Sequence, residues 1–317
     1  MIRSYNSMSL VSVIIPSYKS TDTLKRAIDS CLIQTYKSIE VIVVDDNNPG
    51  SRHRLATEKI MSKYISDERV AYVRHERNMN GSAARNTGFH YSSGEFICLL
   101  DDDDYFLPNK IMKQVKLLLS NEKYNAASCY WYSKNKVNKL HRKNDFTTEI
   151  LTGQKTPHTC SLMIRRHVYQ QLNGFNPEYK RHQDYEFLLR FFKTSQIGMV
   201  TEPLLVLGTN GINNRLNAPD LEKLKDVFLE DFQDLYLFDT KFRKKVFASN
   251  YVEVFVEYIR IKDLYEIKRV LLLLLKNSPV YFLKYMTVTL YKYISAHFTS
   301  NDKLYVINIK SLLHKNR

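Results

Sequence analysis

Glycine is scarce in this chain, nine among 317 residues, so long flexible linkers are not expected. The four cysteines, Cys31, Cys98, Cys129 and Cys160, fall at no spacing that suits a structural zinc site. Cys31 and Cys98 lie inside apolar periodic segments, so a reduced thiol set in a cytoplasmic setting is expected, without a disulfide or zinc framework. Long apolar runs are missing. The longest late run, VLLLLLK at 270–276, falls well short of the ~20 residues a spanning helix needs. The early run LVSVIIP is too short for a signal-peptide core and reads as a strand. No internal repeat or low-complexity tract stands out. Acids are nearly absent from the end of the chain: from Lys268 to Arg317 there are nine Lys/Arg and a single acid, Asp302.

What is present is globular composition, 44% hydrophobic and 25% charged, long enough for a full core and about two domains. LVSVII at 10–15 is β-rich and followed by Pro16. Leu24, Ala27, Ile28, Cys31 and Leu32 then recur at helical spacing, and IEVIVV at 39–44 forms a second strand. A right-handed βαβ unit follows. The pattern continues with a helix at about 52–65, a strand at 69–74, a helix at about 81–91, a strand at 95–100 and a helix at about 108–121. Apolar strands between amphipathic helices predict an α/β sheet covered on both faces.

In such sheets ligands bind beyond the carboxyl ends of the strands. Three polar clusters fall there: PSYKS after the first strand, DDNNPGS after the second, and DDDDYF after the strand at 95–100. Four consecutive aspartates repel one another in water-poor surroundings. A divalent cation with a preference for oxygen ligands relieves that repulsion, and the second acidic pair, at 45–46, converges on the same rim. VIVVDDN alone resembles the acidic pocket of a response-regulator receiver. There, however, the paired acids follow the first strand, whereas here a complete strand and helix precede Asp45.

Three blocks in order carry a broader resemblance over about residues 9–210. VSVIIPSYKSTDTLKRAIDSCLIQTYKSIEVIVVDDNNPGS resembles the opening of family 2 glycosyltransferases, NMNGSAARNTGFHYSSGEFICLLDDDDYFLPNKI their middle block, and LNGFNPEYKRHQDYEFLLRFF their acidic acceptor motif. The resemblance implies a GT-A fold, a Rossmann-like mixed sheet flanked by helices. It places a nucleotide-sugar half at about 9–105 and an acceptor half at 106–217 within a catalytic domain at 1–217. It also implies inverting transfer from a nucleotide-sugar, with UDP preferred over dTDP or GDP, by a single displacement.

Residue roles follow from the resemblance. Pro16, Ser17 and Tyr18 lie against the base and ribose; Asp46 meets the uracil, and Asp45 supports its loop. Gly81 admits the diphosphate near a helix N-terminus, where Arg85 adds a contact. Asp103 is the expected ligand of Mn²⁺ or Mg²⁺, with Asp101 and Asp102 near the ribose or the metal. Asp104 is read as a cap for the helix that begins near Pro108. Asp184 is the expected base, preceded by Gln183 where the family commonly has Glu. His158 and Gln183 are weaker candidates for the acceptor side. The family's histidine after the acceptor region is missing from VLGTNGINNRLN, where Asn213 or Arg215 would substitute.

Residues 218–317 read as a helical extension, acidic first and then basic and aromatic. SPVYFLKYMTVTLYKYI at 278–294 suits an anionic membrane surface, which fits a peripheral position on the inner face of a bacterial cell membrane and a glycan or lipid-linked glycan acceptor in polysaccharide synthesis. No nucleic-acid motif accompanies the positive charge. Two rival readings are a sugar nucleotidyltransferase, whose Gly-rich first loop IPSYKST lacks, and a non-catalytic nucleotide- or glycan-binding protein of the same fold.

Overall fold

Strand β1 (Val11–Ser17) is buried along almost its whole length, with Val11, Val13, Ile14 and Ile15 fully inaccessible. The structure, a computed structural model, describes residues 9–20, 23–208 and 216–298, with side chains to 288. The chain divides into two compact units, Met1–Asn214 and Arg215–Arg317.

In the first unit, α1 (Thr23–Leu32) buries Leu24, Ala27, Ile28 and Cys31 and leads to β2 (Ile39–Asp45). Next come α2 (Arg52–Met61), β3 (Val70–Arg74), α3 (Asn80–Tyr91) and β4 (Phe96–Leu99). The helix expected over about 52–65 stops at Met61 and tightens into a 3-10 turn, Ser62–Tyr64. These strands lie in the order β3-β2-β1-β4, all parallel. Successive βα connections therefore run one way from β1 to β3 and the other way to β4, which opens a crevice at the carboxyl end of β1. Register fixes what meets there, because Ser17 pairs with Asp45 and Ile14 with Leu99. Two polar loops thus leave the sheet side by side, and the Asp46 amide donates to the Ser17 carbonyl at 2.8 Å.

Helix α3 packs on β1 and β2 through small residues. Ala84 is fully buried, and a Cβ at Gly88 would enter the Ile14 side chain, so glycine sets the close approach of helix to strand.

The second half departs from the parallel pattern. After β5 (Tyr105–Phe106), α4 (Lys110–Ser120), β6 (Tyr124–Ser133), β7 (Lys136–Asn138) and α5 (Thr147–Leu151), strand β8 (Met163–Arg165) runs antiparallel between β4 and β6. Then follow α6 (Arg166–Gln171), α7 (Gln183–Phe192) and β9 (Gln196–Val206), which pairs parallel with β6 and antiparallel with β5. The full order is β3-β2-β1-β4-β8-β6-β9-β5, with β7 beside β6. Register shifts between β6 and β9 around Cys129–Trp131 bend this side of the sheet. All four cysteines are buried and unpaired.

The second unit is helical: α8 (Ala218–Asp231), α9 (Thr240–Ile261), α10 (Leu264–Asn277) and α11 (Pro279–Phe298). Its core includes a buried Lys225, which pairs with Glu253 at 2.8 Å and with Asn250 at 3.0 Å.

Candidate active site

The acidic pair at the end of β2 divides its work. Asp45 is fully buried and saturated by the protein. It accepts from the Tyr72 hydroxyl at 2.6 Å and from the Asn47 backbone and side-chain nitrogens at 2.9 and 2.8 Å, and it pairs with Arg54 Nε at 3.0 Å. Arg54 also donates to the carbonyls of His75 and Asn47. Asp45 thus ties α2 and the end of β3 to the loop that carries Asp46. Arg54→Ala would leave a carboxylate buried without its cation. Such a change costs about 3–5 kcal/mol, read as a fall in Tm of the purified chain.

Asp46 is buried too, but its partners come from the β3–α3 connection. His75 Nδ1 lies 2.8 Å from Oδ1, the Met79 amide donates to Oδ1 at 2.7 Å, and Asn78 Nδ2 donates to Oδ2 at 2.8 Å. His75 is held in turn by Thr87 on α3, at 2.9 Å. Three fixed contacts orient this carboxylate at the rim. Neither His75 nor Asn78 was singled out by the sequence reading, although HERN at 75–78 stands beyond a parallel strand as the acidic clusters do.

At the start of α3, Asn80 adopts φ 75° and its Oδ1 accepts from the amides of Ser82 and Ala83 at 2.9 and 3.2 Å. Two helix-terminal amides are therefore occupied, and the cationic group beside this helix start is Arg85. Its Nη2 binds Asp101 Oδ1 at 2.6 Å, while its buried Nε and Nη1 have no hydrogen-bond partner among the described residues. A Cβ at Gly81 would come to 3.2 Å from Arg85 Nη1. Ser82 Oγ donates to Gln183 Oε1 at 2.5 Å, which joins the start of α3 to the start of α7.

The run Asp101–Asp104 fans outward from β4. The Asp101 amide donates to Cys160 Sγ at 3.2 Å, the Tyr18 amide to Asp102 Oδ2 at 3.2 Å, and Arg26 to the Asp103 carbonyl at 2.6 Å. Ser17 is fully buried, and its hydroxyl lies beside Asp102. Asp104 does not cap α4. Its Oδ1 accepts from the Gly208 amide at 2.8 Å, and Asn109 precedes that helix. The reach of β9 back to β5 brings Gly208 to this loop, and so claims the carboxylate that the local sequence offers to the helix.

Charge on the four acids is unevenly compensated. Burial alone would raise Asp101, but Arg85 and then His158 outweigh it and hold the carboxyl below its usual range. Burial, and then repulsion from Asp101 and Asp103, push Asp102 up to about 7. Burial and Asp101 push Asp104 up to about 8, and both also raise Asp103. Arg85, with Arg26 beside Asp103, does not neutralise this loop. The crowded carboxylate oxygens and the two orphaned nitrogens of Arg85 fit a divalent cation beside an anionic ligand. A cavity of about 480 Å³ borders Asp103, with Arg26, Tyr105, Tyr132 and Lys134 in its wall.

A second group was not foreseen. Ligand atoms of Asp104, His158 and Cys160 lie within 4.8 Å of one another. Their donors are already engaged in part: Asp104 with Gly208, His158 Nδ1 with the Cys160 amide at 3.2 Å, and Cys160 Sγ with the Asp101 amide. The Cys160 thiol is raised well above its ordinary value by burial and by Asp101, so it is held as a neutral thiol. This group reads as a network behind the acidic loop.

Asp184 stands in the first turn of α7, after His182 at φ 59°. Burial raises its carboxyl, tempered by the Tyr185 amide and by His158. Glu186, by contrast, is buried against Arg190 at 2.5 and 2.8 Å and is spent on structure. His158 interacts with Asp101, Asp184 and Asp103, and burial lowers it. Because Nδ1 accepts the Cys160 amide, Nε2 carries the proton of the neutral ring. Its ring lies 6.1 Å from that of Trp131. Asn213 and Arg215 lie outside the described residues.

The profile of glycosyl transferase family 2 matches residues 12–195. An uncharacterized glycosyltransferase of Rickettsia prowazekii (strain Madrid E) is 32% identical over 72% of this chain and 70% of its own length. Against relatives in four other Rickettsia species the chain spans only 28% to 63% of their length. The Escherichia coli UDP-Glc:alpha-D-GlcNAc-diphosphoundecaprenol beta-1,3-glucosyltransferase WfgD is 29% identical over 60% of this chain and 73% of its own. Among solved structures, S. aureus TarS 1-349 in complex with UDP-GlcNAc superposes with a TM-score of 0.65 at 16% identity, covering 82% of this chain and 78% of that one. The likeness shows the fold, the GT-A arrangement of mixed sheet and flanking helices. With the rim geometry and the match over most of the first unit, it follows that this chain belongs to glycosyl transferase family 2.

Proposed function

We propose that the chain transfers a sugar from a UDP-sugar to a hydroxyl of a lipid-linked glycan, with inversion at the anomeric carbon. The observation that carries this reading is the juxtaposition of an undercompensated carboxylate loop, Asp101–Asp104, with a half-buried helix-start carboxylate, Asp184, around Arg85 and His158. In this reading Pro16, Ser17 and Tyr18 meet the base and ribose, and Asp46 accepts a hydrogen bond from the uracil imide N–H. Arg85 and the backbone at Gly81 receive the diphosphate, and Asp102 the ribose. Asp103, with Asp101 beside it, would hold Mn²⁺ or Mg²⁺, which supplies positive charge to a departing nucleoside diphosphate. Asp184 takes the proton of the attacking hydroxyl as its oxygen bonds to the anomeric carbon and the bond to the diphosphate breaks. His158 and Gln183 shape the acceptor side.

The donor preference draws on the UDP-GlcNAc complex of the structural neighbour and on the UDP-Glc named for the Escherichia coli relative. The same relative's diphosphoundecaprenol substrate supports a lipid-linked acceptor and action at an anionic membrane surface. No described helix is long and apolar enough to cross a membrane. Residues 9–105 would form the nucleotide-sugar half, 106–217 the acceptor half, and 218–317 the membrane-facing extension. The test is transfer from a panel of UDP-sugars to a GlcNAc-diphospholipid in detergent with Mn²⁺, with the new linkage read by NMR. A product of opposite anomeric configuration to the donor is expected. A retained configuration would overturn the single displacement.

A further inference from the structure

Helix α10 should have one apolar face, turned to its neighbours. It has two. Val270 and Leu274 are fully buried, as an internal face requires. The opposite side nevertheless exposes Leu264 at 80%, Tyr265 at 76%, Leu272 at 57% and Leu275 at 43%. At about 100° per residue these four fall within a sector of about 100°. Lys268 lies inside that sector and Lys276 at its edge. The start of α11 repeats the composition, with Val280 at 73% and Leu283 at 62% exposed beside Lys284.

The charge pattern indicates what covers this face. From Leu264 to Val288, the exposed positions include Lys268, Arg269, Lys276 and Lys284, and none is acidic. The acid nearest the face on its own helix, Glu266, is paired with Arg269 at 2.5 Å, and Arg269 also binds Glu222 at 2.6 Å. Among the described residues, no ion pair involves Lys268, Lys276 or Lys284. Leucines with a tyrosine, interspersed with lysines, match the boundary between acyl chains and anionic headgroups, where lysine stems can cover apolar surface while the ammonium meets the headgroup. A contact between two copies through this face would set the same lysines against one another, with no exposed acid on the face to offset them.

We propose that the outer face of α10, continued by the first turns of α11, is an anionic-lipid docking surface. It rests on the reading above that the acceptor is membrane-borne. It moves the main contact from the aromatic stretch at 278–294 to residues 264–276.

The test is flotation of the full chain with vesicles of phosphatidylcholine alone and of phosphatidylcholine mixed with phosphatidylglycerol. Two double variants are compared with the native chain: Leu272→Ser with Leu275→Ser, and Lys268→Glu with Lys276→Glu. All four positions are exposed, so Tm and UDP binding should be unchanged and serve as checks on the fold. The native chain should float with the mixed vesicles, and each variant should bind them roughly tenfold less or weaker. Native-like flotation of both variants would overturn the α10 surface while leaving membrane attachment standing. No flotation of the native chain would overturn both. If that came with a change in oligomeric state in the leucine variant, the face would be a contact between copies. Transfer to a detergent-dispersed acceptor, measured in parallel, separates failure of docking from failure of the glycosyl-transfer reading.

Discussion

Asp184→Asn should lower kcat by about 10²- to 10⁴-fold while leaving UDP binding and its metal dependence intact. Asparagine keeps the volume and the helix-start hydrogen bonds but cannot take a proton. The loss therefore falls on the chemical step, at about 1.4 kcal/mol per tenfold. The pH profile makes the assignment sharper. Burial raises the Asp184 carboxyl, and a base works only when unprotonated. Activity should thus fall with decreasing pH along a limb displaced above the ordinary carboxylate range. Glu186→Gln serves as the contrast. That carboxylate is held by Arg190, so its loss should reduce Tm without moving the acidic limb. A residual rate in Asp184→Asn equal to that of the native chain would remove this carboxylate from the reaction.

The second large effect concerns the acidic loop and its cation. Asp102 and Asp104 are pushed up to about 7 and about 8, against 3.8 for an ordinary aspartate. The folded state binds their protons more tightly than the unfolded chain does. From about pH 4 to 8 the metal-free protein should therefore lose stability as pH rises. Mn²⁺ competes with those protons, so its stabilising effect should be small at pH 5 and grow towards pH 8, by several degrees in Tm. Asp103→Ala should abolish this pH-dependent gain. An equal Mn²⁺ shift at both pH values, or one that survives in Asp103→Ala, would place the cation elsewhere.

The parts of the site that lie at strand ends were legible in the sequence. Continuous apolar segments announce β1, β2 and β4, and the residues just beyond them, Tyr18, Asp46 and Asp101, must share a rim if those strands are parallel. The registers of Ser17 with Asp45 and of Ile14 with Leu99 put these three strand ends side by side. What holds those residues was not legible. His75 and Asn78 reach Asp46 from the far end of β3, Cys160 meets Asp101 across an antiparallel strand that local periodicity does not signal, and Gly208 takes Asp104 from more than a hundred residues away. A cap reading for Asp104 was locally sound, and the fold of β9 onto β5 overrode it. The resemblance separates the two adjacent acids, Asp45 supporting the loop and Asp46 at the rim, but Arg54 and Tyr72, which hold Asp45, are connected to it by no spacing in the chain.

The central claim is that the carboxylate rim of β1, β2 and β4 binds a nucleotide together with a divalent cation. Calorimetric titration of UDP into the native chain, with Mn²⁺ and with a chelator, tests it most directly. The account predicts saturable binding with Mn²⁺, at least tenfold weaker binding without it, and loss of the difference in Asp103→Ala. Tight UDP binding that is indifferent to Mn²⁺ in the native chain would contradict it.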